Sequence, residues 1–380
     1  MRRTVRLANA GSWLGLLFLW CFARDVFPCT TFVLRQGDHI VFGRNLDWNI
    51  DYGLVLVNQA GFRKTPLYPQ LTSLSWNVKY GSITFNQYGK EAPMDGMNQA
   101  GLVVAEMWLD GTSYPAADSR PPIGDLPWIQ YQLDNCGTVE EVIRTDAAVR
   151  ISPGSEPLHF LVADRTGDAA VIEFLSGGMV VHRGENLPVR ALTNNTYDES
   201  SAILQRYVGF GGTAPIPSSS NSPSRFVRVA DRIARYGAQD PIPIITYAFA
   251  TLLSVGLSST QWTIVYDITE GKVHFRTRQS SEIKTVRPDT MDFLCRTTSK
   301  LLDINIIAGG NVTALLQQYT RAANRDLIYK SYRGTDFLRD TPDSVIDARA
   351  AIPDSFVCCR PKPWTDKAKA VPPVQGWKKK

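Results

Sequence analysis

Two β-rich runs, residues 30–35 and 39–44, flank the turn residues Gln36-Gly37-Asp38 and predict a hairpin that begins at Cys29. Residues 53–58 (GLVLVN) predict another strand. Between Lys64 and Gly89, Tyr, Trp and Thr alternate with turn residues, which predicts several short strands. Residues 102–107 (LVVAEM) form a nearly unbroken apolar run, the pattern of a buried strand, entered through Asp95-Gly96-Met97-Asn98. A helix is expected over 128–135, closed by Gly137 from the left-handed cap position. Thr138-Val139-Glu140-Glu141 reads as a capping box, with the Thr138 hydroxyl accepting from the Glu141 amide and the Glu141 carboxylate reaching back.

Residues 160–165 and 169–174 form a second hairpin about Thr166-Gly167-Asp168, and 190–193 is a short strand ending in Asn194-Asn195. Residues 209–222 carry no period and read as loop. From Ser224 onward Phe226, Val229, Ile233 and Tyr236 share one helical face, and Gly237 stops it. An apolar helix is expected over 244–253, a third hairpin from 261–267 and 272–276 about Thr269-Glu270-Gly271, and a helix over 312–323. The strands come in hairpins and the helices cluster in the middle, without βα alternation. That predicts an α+β fold of antiparallel sheets covered by helices. No repeat or linker divides the chain, so residues 29–359 are expected to form a single domain.

The ends read differently. Arg2, Arg3 and Arg6 precede an apolar run over 13–23, too short for a span of roughly 20 residues. Residues 1–23 therefore read as an export signal and 24–28 as a short propeptide, giving a periplasmic or secreted protein; an uncleaved anchor is the other reading. No later run is long and apolar enough to span a bilayer, so no stable membrane span is expected after processing. Residues 360–380, rich in Pro and Lys, are expected to be a disordered tail. The formal net charge of +5 sits largely at the termini, which argues against a nucleic-acid partner.

Six cysteines and four histidines are too scattered for a zinc site, and no metal or cofactor is expected. Once Cys21 leaves with the signal, five cysteines remain, so an exported chain keeps at least one free thiol. Cys29 is the candidate. If proteolysis frees it, its α-amine, which ordinarily titrates at about 7.7–8.0, lies within reach of its own thiol at about 8.5. The amine can then take the thiol proton without a histidine. None of His39, His159, His182 or His274 lies in a catalytic motif, and each reads as surface or structural. The amine needs a carboxylate, the thiolate a cation, and the tetrahedral intermediate oxyanion donors worth about 3–4 kcal/mol each. Arg44 and Asp47, returned by the hairpin, offer the first two. Their spacing puts them on opposite sides of a regular strand, so a bend near Asn45 is expected if both face Cys29. Exposed strand-end charges are the alternative.

"CTTFVL" (29–34) followed by "GRNLDW" (43–48) resembles the mature start of the choloylglycine hydrolase family, N-terminal-nucleophile hydrolases of linear amides that include conjugated bile salt hydrolases and penicillin V acylases. "DGMNQAGLVVAEMW" (95–108), "ADRTGDAAVIEF" (163–174), "LTNN" (192–195) and "SRFVRVA" (224–230) follow in the family's order. The resemblance spans residues 29 to about 275 and implies an αββα sandwich. It makes Cys29 the nucleophile, Asp47 the carboxylate on its amine, Arg44 the cation beside the thiolate, Asn194 the oxyanion donor and Arg225 a second active-site arginine. Many members carry Asn where this chain has Trp108. Members from Gram-negative bacteria often carry Trp there, and its indole N–H can donate.

Trp48, Met107 and Trp108, with Trp76, are candidates to line an acyl pocket. The stretch between Asn194 and Arg225 is shorter than in Gram-positive relatives, whose insertion helps build a tetramer; a homo-oligomer is one reading, with the short stretch arguing against that tetramer. The implied activity is hydrolysis of a linear amide with an apolar acyl group, through a thioester. The substrate is a small molecule: a penicillin, an N-acyl homoserine lactone or a conjugated bile acid. An acylethanolamide or ceramide amidase, and an exported binding protein with a blocked Cys29, are the alternatives.

Overall fold

The computed structural model describes residues 28–66, 74–237 and 240–359. The expected signal, all of the propeptide except Pro28, and the expected tail lie outside the described residues.

Strands β1 (Thr30–Gln36) and β2 (His39–Asp47) pair in unbroken antiparallel register, Thr31 opposite Arg44 and Gln36 opposite His39. The turn between them places Gly37 at φ +60°, a conformation that costs glycine least. Gly43 has a different reason: a Cβ there would lie 2.5 Å from the Phe32 ring packed across the hairpin. Ala191–Leu192 pairs on the outer side of β1. Thr260–Asp267 pairs beyond β2, followed by Lys272–Thr277, Lys284–Val286 and Gly310–Asn311, to give seven strands. A nine-stranded sheet runs Gly178–Arg183, Ala169–Leu175, Leu158–Ala163, Val103–Trp108, Pro93–Asn98, Ser82–Asn86, Leu54–Asn58, Lys300–Asp303 and Gln317–Gln318.

The two sheets face one another. The Phe85 ring of the nine-stranded sheet meets Trp262, Tyr266 and Phe275 of the other at 5.3–6.5 Å between centroids. Along Val103–Trp108 the side chains alternate between two cores. Val103, Ala105 and Met107 enter the core between the sheets, and Val104 the one beneath the helices. Helices α1 (Asp125–Asn135) and α2 (Val139–Arg144) cover that outer face through Trp128, Ile129, Leu133 and Val142. After α3 (Tyr197–Leu204), helices α4 (Ser222–Arg235) and α5 (Ile244–Ser254) pack on the outer face of the seven-stranded sheet. The layers are αββα, as the resemblance implied. Helices α6 (Arg321–Gly334) and α7 (Asp343–Ala351) follow.

Several expectations are corrected. The helix expected over 312–323 does not form there. Gln317–Gln318 joins the sheet edge instead, and α6 starts at Arg321, where the Thr320 hydroxyl caps the Ala323 amide at 3.2 Å. Sheet pairing overrides the local apolar spacing. Residues 95–98 lie within a strand, not an entry turn. Gly137 has no positive φ: Cys136 ends α1 in extended conformation, and a Cβ on Gly137 would stand 2.9 Å from the Tyr80 hydroxyl. The capping box forms, except that Glu141 reaches the Gly137 amide (2.5 Å). A disulfide joins Cys295 to Cys358, and among the described residues Cys29, Cys136 and Cys359 are free thiols.

Candidate active site

Cys29 sits at the head of β1, 2% exposed. Its side chain shares a face with Thr31 and Arg44, the face turned toward the other sheet. Arg44 is fully buried between the sheets. Its Nε lies 2.6 Å from Asp95 Oδ2, its Nη2 lies 2.7 Å from Glu106 Oε1, and its Nη1 donates to the Glu106 carbonyl. Burial opposes the guanidinium charge, but Asp95, Glu106 and Cys29 outweigh it and hold Arg44 above its ordinary value. The Tyr266 hydroxyl donates to Asp95 and completes the cage.

Asp47 lies at the end of β2. The Thr260 hydroxyl donates to its Oδ1, while its Oδ2 is buried with no hydrogen-bond partner. Burial pushes the carboxyl up to about 6, against the Thr260 hydrogen bond and the charges of Arg225 and Arg44. The irregularity expected near Asn45 lies on the neighbouring strand: register shifts between Thr260 and Trp262, opposite Asp47 and Leu46, while β2 stays regular against β1. Arg44 and Asp47 are both buried, which removes the reading as exposed strand-end charges. Burial pushes the Cys29 thiol up to about 12. Arg44 pulls it down, Glu106 and Asp47 push it up, and the Asp47 backbone N–H lowers it.

Arg225, on the first turns of α4, is buried under the outer face of β1. It donates through Nη1 to the Cys29 carbonyl and the Thr30 hydroxyl, each at 2.5 Å, and through Nη2 to Asn194 Oδ1 at 2.8 Å. Burial lowers it to about 10 despite Asp47 and Cys29 nearby. Asn194 follows the edge strand Ala191–Leu192. Its Nδ2 donates to the Trp108 carbonyl at 2.9 Å and its backbone N–H to Ser222 Oγ at 2.8 Å. One strand head, one strand end, one edge loop and one helix start thus bring all five expected catalytic residues together.

Trp108 is half-buried, with its ring 6.3 Å from that of Trp48. Its indole N–H donates to Asp110 at 2.7 Å, so the oxyanion contact considered for it is already committed to a carboxylate here. The Trp48 indole donates to the Tyr88 hydroxyl at 2.8 Å, and Met107 Sδ accepts from Thr31 Oγ1 at 3.0 Å. Trp76 is not part of this group: it donates to Asp134 and packs edge-on against Tyr131 in a small sheet elsewhere. Sequence reasoning missed Asp95, Glu106 and Thr260. Acidic residues inside an apolar strand block were the available signal for the first two. Thr260 left none, because a bulge places it.

A model of the linear amide C–N hydrolases, choloylglycine hydrolase family, matches residues 29–299. A penicillin V acylase of Pectobacterium atrosepticum is 28% identical over 212 residues, 52% of this chain and 50% of that one, so the match spans about half that relative's length. A bile salt hydrolase/transferase of Bifidobacterium longum is 30% identical over 251 residues, 56% of this chain and 76% of that one. The structure of a penicillin V acylase from Agrobacterium tumefaciens superposes with a TM-score of 0.69 at 27% identity, covering 77% of this chain and 98% of that one.

Proposed function

The chain belongs to the choloylglycine hydrolase family of linear amide C–N hydrolases, and from that premise we propose an exported amidase whose nucleophile is Cys29 once the Pro28–Cys29 bond is cut. The observation that carries this reading is the buried, unpaired Oδ2 of Asp47 beside Cys29. A freed α-ammonium on Cys29 is the cation such an oxygen lacks. In the uncut chain the thiol is buried and neutral, and the amine is tied up in a peptide bond with Pro28. Cutting that bond supplies a base for the thiol and a partner for Asp47 together.

In the cut chain, the α-amine takes the Cys29 proton and Sγ attacks the substrate carbonyl carbon. The oxyanion meets the Asn194 side-chain amide in place of a partner it holds at rest. Collapse breaks the C–N bond, and the proton on the α-amine goes to the leaving amine. A thioester remains. Water, deprotonated by the same α-amine, hydrolyses it and restores the thiol. Arg44 holds positive charge beside the sulfur, and Arg225 ties the Cys29 carbonyl to Asn194.

An apolar acyl group is favoured, because the Trp108 carbonyl holds Asn194 and the Trp108 ring lies 6.3 Å from that of Trp48. Phenoxyacetyl penicillin and N-acyl homoserine lactones are the first substrates to try, with conjugated bile acids as the comparison. Export is supported by the Cys295–Cys358 disulfide, a bond that persists in oxidising compartments. The test is Cys29→Ala with intact mass and N-terminal sequencing. The parent should start at Cys29 and release amine from one of these substrates, while the variant folds and releases none. A chain that hydrolyses with Pro28 still attached, or an active Cys29→Ala, would overturn the mechanism.

A further inference from the structure

His159 lies on the strand Leu158–Ala163 of the nine-stranded sheet and is fully buried. Its Nε2 is 2.7 Å from the Thr193 carbonyl oxygen. That oxygen can only accept, so Nε2 carries a proton. Nδ1 is 3.1 Å from Glu173 Oε1, which also accepts the Tyr197 backbone N–H at 3.0 Å. A proton therefore lies between Nδ1 and the carboxylate as well. Burial pushes Glu173 up, yet hydrogen bonds from His159 and His182 hold it down to about 2. The chain Glu173–His159–Thr193 thus crosses from one sheet to the edge loop of the other. It ends on the peptide that carries Asn194, and Ser222 holds Thr193 and Asn194 from the opposite side.

Resting on the reading of Asn194 as the oxyanion donor, we propose that His159 and Glu173 are positioning residues. They fix the Thr193 carbonyl and so aim the Asn194 amide at the reacting carbonyl. Misplacing a reacting group by about 1 Å costs on the order of 100-fold in rate. His159→Leu should lower kcat about 30- to 100-fold with KM nearly unchanged. His159→Gln, whose amide N–H can still reach Thr193, should restore most of it. In an Asn194→Ala background His159→Leu should cost less than about threefold, because the group it aims is gone. Full multiplication of the two effects, a change in KM alone, or an unaffected His159→Leu overturns the proposal. If His159→Leu does not fold, Glu173→Gln takes its place in the same cycle. Should Asn194→Ala itself leave kcat intact, the oxyanion reading fails. A damaging Asn194→Ala beside a harmless His159→Leu fails the positioning alone.

A separate observation carries a second site. A cleft of about 190 Å³ lies among the described residues away from Cys29, walled by Gln59, Phe62, Lys90, Glu91, Tyr319 and Asp354. Lys90 is 6% and Gln59 2% exposed. Gln59 Nε2 is buried without a hydrogen-bond partner; Lys64, which also lines the cleft, donates to Glu91 Oε2 at 2.7 Å, while Glu91 Oε1 accepts none. Lys90 Nζ donates to Asn58 at 2.6 Å and has two further protons, with Glu91 Oε1 3.9 Å away. Glu91 also sits at φ +72°, backbone strain of the kind that collects at functional sites. Buried donors and a buried acceptor thus line one small cleft.

The geometry points to a small zwitterion of the α-amino acid class as its ligand. The carboxylate would meet Lys90 and Gln59, and the ammonium Glu91 and Asp354. Thermal unfolding of the full chain with glycine, acetate or methylammonium at matched ionic strength tests it. Glycine should raise the midpoint saturably, by about 2 °C, and acetate or methylammonium alone by much less. Gln59→Leu should reduce the shift and Lys90→Met remove it. No shift, equal shifts with acetate, or shifts that survive both variants would overturn it. If Lys90→Met does not fold, Gln59→Leu decides.

Discussion

Arg44 and Arg225 flank the same cysteine, both buried, yet they are built in opposite ways. Arg44 is caged by two carboxylates, Asp95 and Glu106, so its positive charge is compensated twice before it acts on sulfur. Arg225 donates to neutral oxygens, those of Cys29, Thr30, Asn194 and Ser220, and forms no ion pair among the described residues. Burial opposes both charges. Partners reverse it for Arg44, which is raised, and do not for Arg225, which is lowered to about 10. The first arginine is a keystone between the sheets. The second is a buried charge behind Cys29, where Asp47 lies close enough to feel it.

The comparison can be broken at its strong end first. Arg44→Met leaves Asp95 and Glu106 facing each other in the core and should destabilise by about 3–5 kcal/mol in urea unfolding. A smaller loss than that of Arg225→Met would refute the keystone role. The next effect belongs to Asp47, on which both arginines act. Its folded pKa of about 6 lies above the ordinary value of 3.8, so its contribution to stability is fully present below about pH 4 and is lost as pH rises through about 6. In a chain whose Pro28–Cys29 bond is intact, Asp47→Asn should therefore be more stable than its parent at pH 7, by about 2 kcal/mol, with the difference fading toward pH 4. A difference that widened on acidification would contradict the sign. The smallest stability change is expected for Arg225→Met, about 1 kcal/mol, because it strands neutral acceptors and no carboxylate. Its kcat should nonetheless fall by about 10-fold or more, since Asn194 loses the donor on its Oδ1. An unchanged kcat in steady-state assays would separate Arg225 from the site.

What could be read directly was local. β-rich runs on either side of Gly37, Gly167 and Gly271 announced three hairpins, and all three formed, because a hairpin's register is set by its own turn. Three of the residues expected at the site were found together for a related reason. Cys29, Arg44 and Asp47 share one hairpin, so neighbours in sequence become neighbours in space. Trp76 failed as a pocket candidate because nothing local tells a site aromatic from one that seals a small sheet.

The sequence by itself determined the hairpins, the α+β class and the residue types that chemistry at Cys29 requires, since each depends on neighbours within about one turn or one strand. Only the tertiary structure decided that Arg44 is caged by Asp95 and Glu106, that one oxygen of Asp47 is left without a partner, and that His159 reaches the Thr193 carbonyl. Those facts depend on how two sheets register across a core, and that register is settled by packing between segments tens of residues apart, not by any local period.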